Sequence, residues 1–396
     1  MLKTIIKYLF LLTIFFPYIK IIPIEEVGDT QPVALVLGVI LFFYYVIMKR
    51  ETIIKPFIYL FVVWTLAIIV FLVIPPISIN GFRSLIGYTS LFFLSFSSYI
   101  FLKQTQGVPD KFIKFVIIIW GTVGLIQAFI YPEFLSFLLN RFSNIRESGR
   151  GVLSLAPEPS YFGTVGIFLL FYSVFQLRSY FYSFFLLFQI IFLAKSSLAI
   201  FVLGLTLIIY LFTYKKFISG GILVALMLLL GSYMINSTYF ANTRMVHLLS
   251  NTINGDIIFE TDESANSRFS AIYFPLKGFI DHLGVPGGLS TYSDYVIDNW
   301  RGMSFFEYVG LGRIMSGYGA ALYEMGIFGL LISIVFVMAI RNYFKQNKKM
   351  GIVISISFTL FMFTPVPLAS PYVSFFYGYL IYYTRKNEII ANQHRH

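Results

Sequence analysis

The 396 residues are 58% hydrophobic and 12% charged, with 29 Lys and Arg against 18 Asp and Glu. That much apolar surface exceeds what a soluble globular chain can hide, so lipid is the expected solvent and an ordinary soluble enzyme is excluded. Cysteine is absent, which excludes disulfides, thiolate zinc sites and iron–sulfur clusters, and the four histidines, His247, His282, His394 and His396, show no metal-ligand spacing.

A bilayer core about 30 Å thick requires roughly 20 apolar residues per helix. Runs of that kind predict about twelve spans, at residues 4–22, 33–48, 56–75, 84–102, 112–131, 160–177, 180–194, 196–214, 217–235, 317–340, 350–366 and 371–384. The expected fold is all-α, a polytopic membrane helix bundle forming a single membrane domain over residues 1–396. Ile19, Lys20, Ile21 and Ile22 stand where a signal peptide would need small residues, so the first run reads as a retained span. With the N-terminus cytoplasmic, inside positions from Lys3 to Arg395 hold 18 of the 29 basic residues but only Glu51, Asp110 and Glu388 of the 18 acids. This is the positive-inside pattern, it accounts for the net charge of +11 without nucleic acid, and it places both termini in the cytoplasm.

Two outer segments are long and polar, residues 132–159 and 237–316. The first carries Arg141, Arg146 and Arg150, then Ala156, Pro157, Glu158, Pro159, Ser160 and Tyr161 at the lip of the next span. Guanidinium forks suit phosphate. Glu158 reads either as a helix-start residue or as a functional carboxylate whose direction is fixed by the flanking prolines. Lys195 lies in an outer turn with Ser196 and Ser197, where a cation signals either a nearby anion or simple snorkelling.

In the larger outer segment Phe269, Ile272, Leu276, Phe279, Ile280 and Leu283 recur at helical spacing, which predicts an amphipathic helix over 268–283 lying on the membrane face, capped by Asn266 or Ser267. Arg268 at its start disfavours the helix dipole and calls for an anionic partner, either a carboxylate such as Glu263 or a phosphate. His282 near its end suits the dipole, and Arg313 adds charge further on. Glu324, after Tyr318 and Tyr323 inside the tenth span, is a functional candidate as an intramembrane carboxylate. Tyr161, Tyr292, Tyr295, Tyr308 and Tyr318 are read either as stacking surfaces for sugar rings or as part of an interfacial aromatic belt. Phosphate-loop, HExxH and GxSxG motifs are missing from the outer loops, as is the paired aspartate that holds a metal on a nucleotide-sugar, so no cofactor is expected.

Three stretches carry a family resemblance: SLAPEPSYFGTVGI from Ser154 to Ile167, SANSRFSAIYFPLKGFIDHLGVPGG from Ser264 to Gly288, and GYGAALYEMGIFGLL from Gly317 to Leu331. In their order, spacing and side of the membrane, they resemble the Wzy-type O-antigen and capsule polymerases and, more distantly, the O-antigen ligases. The ligases usually carry a His-Asn pair shortly before the third stretch, where this chain reads Ser316, Gly317, Tyr318.

The resemblance implies a metal-independent glycosyltransferase of a bacterial cytoplasmic membrane, with its site facing the periplasm or cell exterior. Its substrates would be polyprenyl-pyrophosphate-linked oligosaccharides, as donor and as acceptor, embedded in membrane lipid. Its partners would be the chain-length regulator and flippase of the same pathway. On this reading Glu158 and Arg268 are catalytic, and Arg141, Arg146, Arg150, Lys195 and Arg313 hold pyrophosphate. Tyr161, Tyr318, Glu324 and His282 would contact sugar. The alternatives are a ligase-like transferase and, from another class, a lipid-linked oligosaccharide flippase. Flippases and secondary transporters are built from similar halves with charges buried near the midplane, and the sequence shows no such halves.

Overall fold

The computed structural model describes residues 2–21, 30–139, 151–215, 263–300, 314–341 and 347–393, with single positions at 221, 229, 232 and 344. Among these residues the chain is all-helical, with no strand beyond one isolated bridge between Ile19 and Leu139. The helices are α1 (Leu2–Phe15), α2 (Val33–Phe43), α3 (Lys55–Val73), α4 (Ile79–Thr105), α5 (Asp110–Phe129), α6 (Pro159–Tyr172), α7 (Tyr180–Phe188) and α8 (Ser197–Thr213). After these come α9 (Glu263–Asp281), α10 (Tyr292–Trp300), α11 (Gly317–Met325), α12 (Leu330–Ala339), α13 (Lys348–Phe363) and α14 (Pro371–Gln393). The expected span at 217–235 lies almost wholly outside the described residues.

Four helical stretches are long and apolar enough to cross a membrane, Lys55–Val73, Ile79–Thr105, Asp110–Phe129 and Gly317–Ala339. Shorter apolar helices accompany them, including Pro159–Tyr172 and Ser197–Thr213. Large side chains such as Leu72, Val73, Ile130, Phe181, Phe184 and Phe201 stand exposed, as a surface solvated by hydrocarbon tails requires.

α4 is the hub. Ser78 begins it early by accepting a hydrogen bond from the Gly81 amide, so the helix starts five residues before the expected 84–102 span. It packs against α2, α3 and α14 and is buried along most of its length. Lipid tails are as apolar as leucine, so close backbone approach and interhelical hydrogen bonds must hold such a bundle. α4 supplies both. Ser97 Oγ donates to the Gly38 carbonyl of α2 at 2.6 Å. On the opposite side, a Cβ at Gly378 of α14 would stand 2.5 Å from the Ser95 carbonyl oxygen.

α1 ends at Phe15, short of the expected residue 22, because the chain turns over Phe16–Tyr18. The freed Phe15 carbonyl accepts from Tyr372 Oη at 2.7 Å and from Trp120 Nε1 at 3.2 Å, which joins α1, α5 and α14. Its ring lies edge-on to Phe112, Tyr172, Tyr372 and Phe375.

The amphipathic helix is real but longer than expected. α9 runs Glu263–Asp281, so Asn266 and Ser267 lie inside it and do not cap it. Asn266, Ser270, Ala271 and Phe274 are buried on the face toward α11, and at Gly278 the Tyr323 ring comes within 2.5 Å of where a Cβ would sit. The expected apolar stripe is the opposite face, with Phe269 and Ile280 exposed and Leu283 91% exposed just beyond the helix end. The side toward protein mixes the small and polar Asn266, Ser270 and Ala271 with the large apolar Phe274, whereas the outward side is apolar, an arrangement that suits a helix lying against lipid.

Close packing at the hub makes a paired prediction. Gly378→Leu forces a side chain into the α4 backbone and should cost about 1–3 kcal/mol, whereas Gly204→Leu, with nothing within 4 Å of its Cβ position, should be near neutral. Thermal unfolding of the two purified variants in one detergent checks this, and equal midpoints would remove the hub's packing constraint.

Candidate functional site

Gln127 in α5 fixes the approach to the Glu-Pro-Ser segment. Its side-chain oxygen accepts from the Ser154 amide at 2.6 Å, while its nitrogen donates to the carbonyls of Ser154 at 3.0 Å and Phe134 at 2.8 Å. Ser154 Oγ donates to the Trp120 carbonyl at 2.7 Å, and Ser154 holds a left-handed backbone with φ 52°. Both residues are buried. A strap made of residues 151–156 is thereby clamped to α5 before α6 begins.

The strap also rests on the turn after α7. The Val152 amide donates to the Leu193 carbonyl at 2.8 Å, and Gly151 lies so close to the Ala194 carbonyl that no side chain fits there. Lys195 occupies a left-handed position, φ 45°, with an exposed side chain. Ser196 caps α8 by accepting from the Ala199 amide, and a Cβ at Gly163 of α6 would lie 2.6 Å from Ser196 Cβ. Glu158 sits five residues before Gly163, about 7.5 Å along the helix axis at 1.5 Å per residue, so it lies at the same end as this turn.

Glu158 is the N-cap residue of α6, with Pro159 at the first helical position, but its carboxylate makes no capping hydrogen bond to the helix backbone. Instead Ser160 Oγ donates to Glu158 Oε2 at 3.2 Å, and the side chain is only half-buried. An acid kept for capping would use its oxygens on the free amides of the first turn. Arg268 reaches the same turn from α9, with a guanidinium nitrogen 3.4 Å from Ser197 Oγ. Segments around 158, 195–197 and 268 therefore share one end of the bundle, carrying a carboxylate, a lysine, an arginine and three serine hydroxyls. Tyr161 is half-buried there with its ring 5.6 Å from that of Tyr18. Arg141, Arg146, Arg150, Arg313 and Tyr308 lie outside the described residues, and so does the side chain of Glu263.

The remaining expected residues form a separate cluster. Glu324 is 2% exposed and accepts from Tyr88 Oη at 2.8 Å, with Ser84 as a second hydroxyl donor. It borders a cavity of about 10 Å³ with Asn80, Ser84, Ser290 and Ser293, room for roughly one water. Tyr318 departs from the reading as an outer sugar platform. It is buried, its ring edge-on to Phe363 and its hydroxyl 3.1 Å from that of Tyr377, because α11 runs through the protein interior and not along its surface. Tyr292 is likewise buried beneath α10. His282 lies edge-on to Tyr295 and tilted against Tyr323, with ring centroids at 5.6 Å from each, and its Nδ1 is buried with no hydrogen-bond partner among the described residues. Arg268 and His282 are 14 residues apart, about 21 Å along a helix at 1.5 Å per residue. No single small ligand group can touch both.

Sequence reasoning missed Gln127, Ser154, Ser160 and the Tyr88–Ser84 pair. Gln127 carried a usable signal, a polar amide inside an apolar run. The others are serines and tyrosines of a kind scattered throughout the chain, and only the fold singles them out. No family model, no curated protein and no solved structure matches the chain.

Two outcomes follow. Replacing Gln127 with leucine strands the buried Ser154 amide and should cost about 1–3 kcal/mol, with faster hydrogen exchange at 151–158 as the local readout; unchanged exchange there would remove the clamp. The second concerns Asp281, which Lys277 and Tyr295 each hydrogen-bond at 2.6 Å and thereby hold below the usual carboxylate value, joining α9 to α10. A lowered folded value means that this tie is complete above the ordinary carboxylate range and is lost as pH falls through the lowered one. Protection factors across 292–300, exchange corrected for its intrinsic pH dependence, should therefore fall in acid in the native chain, while Asp281→Asn should show the lower protection already at neutral pH.

Proposed function

We propose that this protein is a polysaccharide polymerase, a membrane glycosyltransferase that joins polyprenyl-pyrophosphate-linked oligosaccharide repeat units on the outer face of a bacterial cytoplasmic membrane. The observation that carries the reading is the meeting of Glu158, the Lys195–Ser197 turn and Arg268 at one end of the bundle. In this proposal the chain makes about twelve passes with both termini cytoplasmic, and that end faces outward with both long loops, placing Arg141, Arg146, Arg150 and Arg313 within the same outer region.

The chemistry requires two things on one surface. A hydroxyl of the acceptor sugar attacks the anomeric carbon of the donor, the bond from that carbon to pyrophosphate breaks, and the hydroxyl proton passes to a base. Glu158, unspent on capping, is that base. The pyrophosphate departs with its oxygens held by Arg268 and Lys195, whose positive charge stabilises the leaving group where charge develops. No metal is needed when fixed cations supply this. The apolar outer face of α9 rests on lipid and sets Arg268 at the depth where a lipid-borne pyrophosphate emerges. Glu324, buried with Tyr88, holds α11 against α4 in this reading and does not meet the reacting atoms.

Deletion of the gene in its own bacterium, with complementation by native protein or by Glu158→Gln, tests the proposal. The expected result is loss of the polymer ladder with single repeat units still reaching the surface, and a normally expressed Glu158→Gln protein that restores less than about 1% of polymer, as loss of a general base worth 10²–10⁴ implies. Repeat units held on the cytoplasmic face would replace this reading by a flippase. Polymer that forms but stays on its lipid carrier would replace it by a ligase.

A further inference from the structure

The end of the bundle opposite Glu158 carries a second concave polar feature. A recess of about 410 Å³ opens between the start of α3, the end of α4 and the end of α14. Six side chains define its chemistry: Glu51, Tyr99, Lys103, Tyr382, Arg385 and Lys386.

The charges do not balance. Glu51 accounts for Lys103, whose ammonium is 2.8 Å from its carboxylate. Lys386 stands 6.0 Å over the Tyr382 ring, a weak contact for a cation, and Arg385 makes no ion pair or hydrogen bond with any described side chain. Both are exposed. Even if Glu388, next along the helix and outside the described side chains, is counted, two carboxylates face three cations. The walls are rigid, since Tyr99 is buried and α4 is tightly packed against α14. The rim is apolar: Ile58, one turn into α3 from the recess-lining Ile54, and Ile47 and Met48 in the widened turn Tyr44–Met48 that continues α2 are all exposed apolar side chains.

We propose that this recess binds the phosphate headgroup of an anionic phospholipid of the leaflet on the basic face of the protein. Arg385 offers a planar fork that takes two phosphate oxygens at once, Lys386 adds a second charge, and Tyr382 and Tyr99 line the wall beside the glycerol backbone. The acyl chains run along the exposed apolar side chains of α2 and α3. Basic pockets between spanning helices are physically suited to such headgroups, because the leaflet concentrates anionic lipid and each cation near the surface adds to the attraction. The site is independent of the outer cluster, and its loss leaves the proposed transfer chemistry in place.

Native mass spectrometry of the full-length protein in detergent, titrated with phosphatidylglycerol, phosphatidylcholine or inorganic phosphate, tests this. Phosphatidylglycerol should be retained and phosphatidylcholine should not. Arg385→Gln/Lys386→Gln should weaken phosphatidylglycerol binding roughly 30-fold, equivalent to about 2 kcal/mol at 1.4 kcal/mol per decade. Arg341→Gln/Lys348→Gln, which removes two exposed cations elsewhere on that face, should leave it unchanged, and Arg385→Lys/Lys386→Arg should keep most of it. Equal losses in the two glutamine variants would show diffuse charge and overturn the site. Equal retention of both lipids would show acyl contacts alone and overturn it too. Displacement of phosphatidylglycerol by inorganic phosphate would reassign the recess to a small free anion.

Discussion

A helix surrounded by other helices in a membrane cannot be held by the hydrophobic effect, because exchanging lipid for protein gains little apolar burial. α4 is in that position, and the rest of the bundle is arranged by how closely each neighbour approaches it. Gly38 lets α2 come near enough for Ser97 to reach a backbone carbonyl, and Gly378 lets α14 lie directly on the Ser95 turn. α4 also carries Tyr88 and Ser84, so the same packing that orders the bundle delivers two hydroxyls to Glu324 on α11. A carboxylate at that depth is costly unless it is hydrogen-bonded, and two donors on a rigid helix meet that requirement.

Much of this was legible from residue order. Apolar runs located the helices among the described residues, four of which are long enough to cross a membrane. The ends were less legible, since local chemistry decides them: Ser78 starts α4 early, and the turn after Phe15 shortens α1. The stripe on α9 was read with the right periodicity, but which face meets protein was not readable. Periodicity reports that two faces differ, and in a membrane either one can face inward. The buried face of α9 carries small residues and Phe274 because it packs against α11, whose Tyr323 requires Gly278 beneath it.

The cluster around Glu158 was half legible. Glu158, Lys195 and Arg268 stood out because charge in or beside an apolar run is expensive and needs a reason. Their proximity was not legible, because it depends on the strap at 151–156, and that strap depends on one amide side chain reading both edges of the Ser154 backbone. Tyr318 shows the converse. It lay in one of the three stretches on which the expected resemblance rests, yet its ring belongs to the core, because a motif identifies a segment and burial identifies which atoms of it are available.

The 21 Å or so between Arg268 and His282 gives α9 a mechanical meaning. One helix joins the Glu158 end of the bundle, through Ser197, to its Glu324 side, through Gly278 and Tyr323. Among the described residues one face of α9, with Asn266, Ser270, Ala271 and Phe274, packs on the bundle, while Phe269 and Ile280 on the other face are exposed. Polar contacts at its far end, Lys277 to Asp281 and Asn299 and Asp281 to Tyr295, tie α9 to α10. Glu158 is placed on a different kind of support, a proline-started helix behind a clamped strap. Carboxylate and cation are therefore set by separate elements, Glu158 through the Gln127 clamp and Arg268 through the packing of α9 on α11.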